Sequence, residues 1–272
     1  MTPWKQALER QLSEVGAPAA LTLTAIERAA RIGRGEAVPK QTLYLWINDA
    51  LERGRLLPVT RGLYLNRFTS PAGRLADAAP FLRRDAVVSL NSALDEAGIY
   101  NNPPAGVTAV VPLDTGPVRP RVGLIETAQG NVFIRAMPRR MLEAGSIEDR
   151  LDLERSLMHP QASAEKALLD WLYLAQSPRS TLTAPALHDV DLEELDNAKL
   201  NRLAKAMELQ QTLSAWRRGK LPMKPAKLPR AKVSATIAAT MGTAAMVPIE
   251  QRTRSPDNRR SRKTAVGSIT DG

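Results

Sequence analysis

The sequence predicts an α+β protein: helices closed by a tight hairpin, then a mixed α/β unit, then a basic tail. Three observations carry this. Residues 40–66, KQTLYLWINDALERGRLLPVTRGLYLN, read as a helix, a glycine stop and two short apolar runs around a turn. Residues 85–216 mix β-branched runs and helical periods in no strict alternation. Charge then separates the tail. Of 38 Lys+Arg and 28 Asp+Glu, 13 and 3 lie in residues 217–272, leaving 25 of each before them. The boundaries so drawn are 1–66, a connector at 67–84, 85–216 and 217–272.

Trp4, Leu8 and Leu12 recur at i, i+4, giving a first helix over about 2–15 with Gly16 as its stop. Thr24 and Glu27 form a capping box for a second helix through about Arg34. Its Ile26, Ala29, Ala30 and Gly33 face a partner helix, and Gly33 and Gly35 mark the following turn. The third helix follows Pro39, which suits a first turn. Leu43, Ile47, Ala50 and Leu51 form its apolar stripe, and Gly54 fits a left-handed stop beside Arg53 and Arg55. Leu56 to Val59 and Leu63 to Asn66 flank Thr60-Arg61-Gly62 as a hairpin.

Three helices and a terminal hairpin in this order are the pattern of a winged helix-turn-helix. Lys40, Gln41, Thr42, Tyr44 and Asn48 lie off the core stripe, where such a helix meets base edges in the major groove. Gln and Asn pair with adenine and Thr meets the thymine methyl. Arg61, with Thr60, falls at the wing tip, and Lys40, Arg55 and Arg61 suit the phosphate backbone.

In the second unit a short helix is expected at Leu75–Leu82. Val87 and Val88 lead to Ser89, an N-cap for a helix from Leu90 to about Ala97, stopped by Gly98. Asn101 to Pro104 is a turn cluster and Val107–Leu113 a strand. Gly123–Glu126 and Val132–Arg135 flank Gln129-Gly130 as a hairpin. Ser163 caps a helix from Ala164 to about Ala175 that is apolar nearly all round, hence central. Asp191 and Glu194 cap a last helical region, one helix or two, to about Arg218. Leu195, Leu200, Leu203, Met207, Leu213 and Trp216 form its buried side.

The tail has too little apolar surface to fold alone and is expected to be largely disordered. Its cluster Arg259, Arg260, Arg262 and Lys263 reads as a phosphate-binding arm with salt-dependent affinity. There is no cysteine, so no disulfide, thiolate metal site or cysteine nucleophile. The start MTPWKQALERQLSE is charged and amphipathic rather than a signal peptide. No apolar run reaches roughly 18 residues. A cytoplasmic protein that does not engage membranes is expected.

No catalytic set, metal site or cofactor motif is expected. His159 and His188, the only histidines, read as surface residues. Glu165 suits the start of its helix, and Lys166 with Asp170 is an ordinary i,i+4 pair. Glu148, Asp149, Asp152 and Glu154 are interleaved with Arg150 and Arg155 as a solvated face. RIGRGEA lacks the context of a phosphate loop.

RGRLLPVTRGLYLN (53–66), SLNSALDEAGI (89–99) and AEKALLDWLYLA (164–175) occur in the order found in AbiEi-type antitoxins, which the chain resembles over about 20–215. The resemblance implies a winged helix that binds inverted repeats in operator DNA and represses its own operon. It also implies a mixed α/β antitoxin domain that counters a nucleotidyltransferase-type toxin, with no stable complex required, in abortive phage infection. The basic tail and the glycine-rich link between the second and third helices depart from the family. Two other readings remain open. One is a stand-alone winged-helix repressor whose second domain senses a ligand or dimerises. The other is a nucleic-acid enzyme holding a metal on Glu126 or the acidic run.

Overall fold

The computed structural model describes residues 2–113, 122–178 and 180–221. Helix α1 (Pro3–Ser13) buries Leu8 and Leu12. After Gly16 comes β1 (Ala20–Thr22), a strand the sequence pattern does not announce. Helix α2 (Leu23–Arg34) follows at once, so its cap is Thr22, whose hydroxyl accepts from Ala25 N at 3.1 Å. The expected box at Thr24 and Glu27 is displaced because strand pairing ends at Thr22. Gly33 packs against α1, where a Cβ would lie 3.0 Å from that of Ala7.

Pro39 stands just outside α3 (Lys40–Glu52) as its N-cap residue, not in its first turn. The core stripe is Leu43, Trp46, Ile47 and Ala50; Leu51 is only partly buried. Trp46 is fully buried, stacks on Phe68 at 6.2 Å, and donates its Nε1–H to Glu9 at 3.4 Å. Strands β2 (Leu56–Thr60) and β3 (Leu63–Asn66) form the expected hairpin, with Gly62 at φ 75°. The sheet order is β1-β3-β2, all antiparallel.

Asn66 fixes this sheet in place. Its side-chain amide donates to the carbonyls of Leu12 and Pro18 at 2.9 and 3.0 Å, and its Oδ1 accepts from Phe68 N. Gly73 N then bonds to Asn66 O at 2.7 Å. Any Cβ on Gly73 would lie 2.1 Å from the Ala19 carbonyl oxygen, so only glycine passes here.

The connector holds the expected short helical stretch: a 3₁₀ turn (Leu75–Ala78) running into α4 (Ala79–Leu82). Next come β4 (Val87–Val88), α5 (Asn91–Glu96), β5 (Val107–Pro112), β6 (Gly123–Thr127) and β7 (Gly130–Met137). The second sheet runs β4-β5-β7-β6, with β5 and β7 parallel and the outer pairs antiparallel. The near-continuous burial of β5 fits its place inside this sheet. The β6–β7 turn reaches the first sheet: Ala128 N donates to Val59 O and Gln129 Nε2 to Pro58 O, at 3.1 and 3.0 Å.

Short helices α6 (Arg139–Leu142) and α7 (Ile147–Arg150) precede α8 (Ala164–Gln176), capped by Ser163 as expected. Helix α8 is buried almost all round and organises the largest core. Helices α9 (Asn197–Ala206) and α10 (Gln210–Arg217) complete it, separated at Glu208, which has φ 58°. The cap of α9 is Asp196, accepting from Ala198 and Lys199 N; Asp191 instead accepts from Glu193 N in an earlier turn. The six residues expected on the buried side, Leu195 to Trp216, are all buried.

The architecture is therefore α+β, and the described residues form one compact unit. No helix among the described residues is long and apolar enough to cross a membrane.

His159 is a correction to the sequence reading. It is 2% exposed rather than superficial. Its Nδ1 meets Asp77 Oδ1 at 2.8 Å and its Nε2 meets Gln161 Oε1 at 3.0 Å. The ring thus links the connector to the loop before α8. Replacing His159 with Ala removes the ring partner of two buried side chains, Asp77 and Gln161. Loss of about 2–4 kcal/mol of stability is expected in urea unfolding.

Candidate nucleic-acid interface

Helix α3 presents Lys40, Gln41, Tyr44 and Asn48 to solvent, with Thr42 half-buried. This follows from the stripe beneath: Leu43, Trp46, Ile47 and Ala50 take one face, so Gln41, Leu45 and Asn48 take the opposite one. Leu45 is 65% exposed. It escaped the sequence reading because an apolar residue on a helix is ordinarily assigned to the core.

The acidic side of α3 is partly neutralised. Arg53 reaches Asp49 at 2.5 Å and Glu9 at 3.2 Å. Thr60 and Arg61 are exposed at the hairpin tip. That tip is anchored, since Gly62 O accepts from Leu23 N at the start of α2, at 2.8 Å. Arg55 holds its guanidinium 4.6 Å from the Phe68 ring centre. That stacking orients its cation beside the helix end. On β3, burial pushes the Tyr64 hydroxyl up from its ordinary value, and nearby Tyr44 adds to the rise.

A cleft of about 470 Å³ opens between α2 and the start of α3, lined by Arg28, Arg31, Lys40 and one carboxylate, Glu27, among others. Arg28 and Arg31 were not singled out from the sequence. Their signal is i,i+3 spacing on the polar side of α2, opposite Ile26, Ala29 and Ala30. The tail residues Arg259, Arg260, Arg262 and Lys263 lie outside the described residues.

The remaining residues of interest fall in the second half. His188 is exposed, its side chain 85% accessible. Glu126 is exposed on β6. The acidic run is not simply a solvated face: Asp149 is held by Arg202 at 2.6 Å and Asp152 lies 3.6 Å from Arg155. The hydrogen bond from Arg202 keeps the Asp149 carboxyl below its ordinary value. Among the described residues no group of three or more His, Asp or Glu could hold a metal.

Ser89, Lys166 and Asp170 correct the sequence reading. Ser89 is not a helix cap: α5 begins at Asn91 after Leu90 at φ 60°. Its hydroxyl instead donates to Asp170 Oδ2 at 2.8 Å. Lys166 pairs with the other oxygen of Asp170, and both are almost wholly buried, 1% and 0% exposed. This is a core ion pair, not an ordinary surface one. Glu165 accepts from Asp196 N at 3.0 Å and pairs with Lys199 at 3.2 Å. Lys166 and Asp170 also line a cavity of about 360 Å³ with Arg139 and Arg150.

Compared with protein-family models and with curated proteins, the chain matches none.

Burial pushes the Asp170 carboxyl up, with Lys166 and Ser89 pulling the other way. The native state then binds this proton more tightly than the unfolded chain. This group's contribution to stability therefore falls as pH rises from the ordinary carboxylate value through the raised native one. A carbon-13 titration of the Asp170 carboxyl is expected to give a midpoint above that of an exposed aspartate. A midpoint at or below it would contradict burial as the governing cause.

Proposed function

We propose that the protein is a DNA-binding repressor of antitoxin type, with residues 2–66 acting as a winged helix-turn-helix. The carrying observation is the order α1-β1-α2-α3-β2-β3 with α3 exposing Gln41, Tyr44, Leu45 and Asn48. On this reading α3 enters the major groove, Gln41 and Asn48 read base edges, and Leu45 and Thr42 meet thymine methyls. Arg28, Arg31 and Lys40 from the cleft, with Arg55 and Arg61, hold phosphates. The basic tail adds affinity without sequence preference.

The antitoxin part rests on the resemblance of three segments to AbiEi-type proteins. One feature supports treating them together. The SLNSALDEAGI and AEKALLDWLYLA segments meet through the Ser89–Asp170 hydrogen bond, and α5 packs on α8. The partners on this reading are inverted-repeat operator DNA and the activity of a nucleotidyltransferase-type toxin, in the cytoplasm. A second reading, a stand-alone repressor with a ligand-sensing domain, is favoured by the cavity beside Lys166. A neighbouring nucleotidyltransferase gene supports the first reading, and its absence supports the second.

The deciding experiment titrates the full chain against its own upstream DNA and a scrambled duplex at two salt concentrations. Preference for the upstream DNA is expected; equal binding to both overturns the repressor reading. Within that assay Gln41→Ala should lose about 1–3 kcal/mol on the operator and little on the scrambled DNA. Arg31→Ala and Arg61→Ala should weaken both, each lowering the salt slope by about 1, with unchanged circular dichroism.

A further inference from the structure

The cavity of about 360 Å³ has walls from the connector, the ends of β4 and β5, the short helices α6 and α7, the loop before α8, and α8 itself. That volume is in the range of small-molecule sites. Its polar groups are unevenly satisfied. Arg150 lines it, and the Nε of that guanidinium is closed to solvent with no acceptor among the described residues. A buried donor left without an acceptor is a standing penalty that an oxyanion relieves. Lys166 also lines the cavity; its ammonium has three donors, of which Asp170 engages one.

The acidic groups facing the cavity are Asp85, Glu143 and Asp170. Asp170 is committed to Lys166 and Ser89, and Glu143 is paired with Arg139 at 2.6 Å near solvent. Asp85 is half-exposed. With Arg139 and Glu143 paired to each other and Asp85 half-exposed, Arg150 and Lys166 face one buried carboxylate, Asp170. Pro80, Val87, Leu142, Leu151 and Pro160 supply apolar walls, and among the described residues no aromatic side chain lines the space. The walls suit an aliphatic body and offer no stacking surface for a base.

We propose that this cavity binds a small aliphatic anion, its carboxylate or phosphate group seated on Arg150 and Lys166. The site stands independently of any reading of α3. Charge-assisted bonds from the half-buried Arg150 and the buried Lys166 fix the head group, and the apolar walls select its body.

The test titrates the full chain with succinate, and separately with inorganic phosphate, at constant ionic strength set by chloride. Nitrogen-15 NMR follows the Arg150 Nε–H, which is shielded from water and so observable. A saturable shift of that resonance is expected with at least one probe, and the responding probe tells carboxylate from phosphate. Arg150→Gln should weaken that response, read at neighbouring amides such as Leu151, by about tenfold or more. No saturable shift with either probe, shifts confined to tail arginines, or equal affinity in R150Q each overturns the proposal. The wild-type arm decides even if R150Q fails to fold.

Discussion

The three-stranded sheet of β1, β3 and β2 is covered on both faces, and the placement of α3 depends on that. One face, with Leu21 and Leu56, packs into the helical core around Trp46. The other, with Ala20, Val59, Leu63 and Leu65, packs on Ala78 and the half-buried Leu75 and Leu82 of the connector. Each Leu or Val among them contributes about 1.5–3 kcal/mol when fully buried. A hairpin at the end of a helical unit is often free to bend. Here its edge carbonyls at Pro58 and Val59 also accept bonds from the β6–β7 turn. The tip that carries Arg61 is therefore held by the second half of the chain as well as by α2.

Much of this was legible in the sequence where the signal is local. The hairpin around Arg61-Gly62, the cap at Ser163 and the stops at Gly16, Gly54 and Gly98 rest on turn and cap chemistry that acts within a few residues. What was not legible depends on pairing at a distance. Strand β1 is three residues, ALT, too short for a periodic signal, and exists because Leu63 to Leu65 present an open edge to it. The parallel pairing of β5 with β7 leaves no mark in either run. Asp196 displaced Asp191 as a cap because both are acidic residues before a helix, and only the true start of α9 separates them.

The candidate site divides in the same way. Exposure of Gln41, Tyr44 and Asn48 followed from the spacing of the core stripe alone. The spacing of Arg28 and Arg31 marks the polar side of α2, but their place beside α3 needed the angle between the two helices. Burial escaped the sequence reading at three places: His159 was read as superficial, Ser89 as a helix cap, and the Lys166–Asp170 pair as an ordinary one. Polar residues are assigned to the surface by default, and a buried polar group survives only when its partners are present. Those partners lie 82 residues away for His159 with Asp77 and 81 for Ser89 with Asp170. A single sequence does not show them.

Electrostatics sets how the exposed face of α3 can act. Residues 1–216 carry as many acidic as basic groups, so bulk charge gives them no general attraction for a polyanion. Any attraction must come from local arrangement. Glu9 and Asp49 are drawn onto Arg53, while Arg28, Arg31 and Lys40 line one cleft with a single carboxylate, Glu27. Opposite charges are thus sorted on a neutral unit, which favours short-range contacts over long-range steering. The long-range term belongs to residues 217–272, where the whole excess of ten positive charges lies. On the proposed DNA-binding reading, a chain built this way separates search from recognition. On that reading the basic segment sets how strongly the protein meets phosphate at a given salt, and the buried stripe of α3 sets which side chains meet the bases.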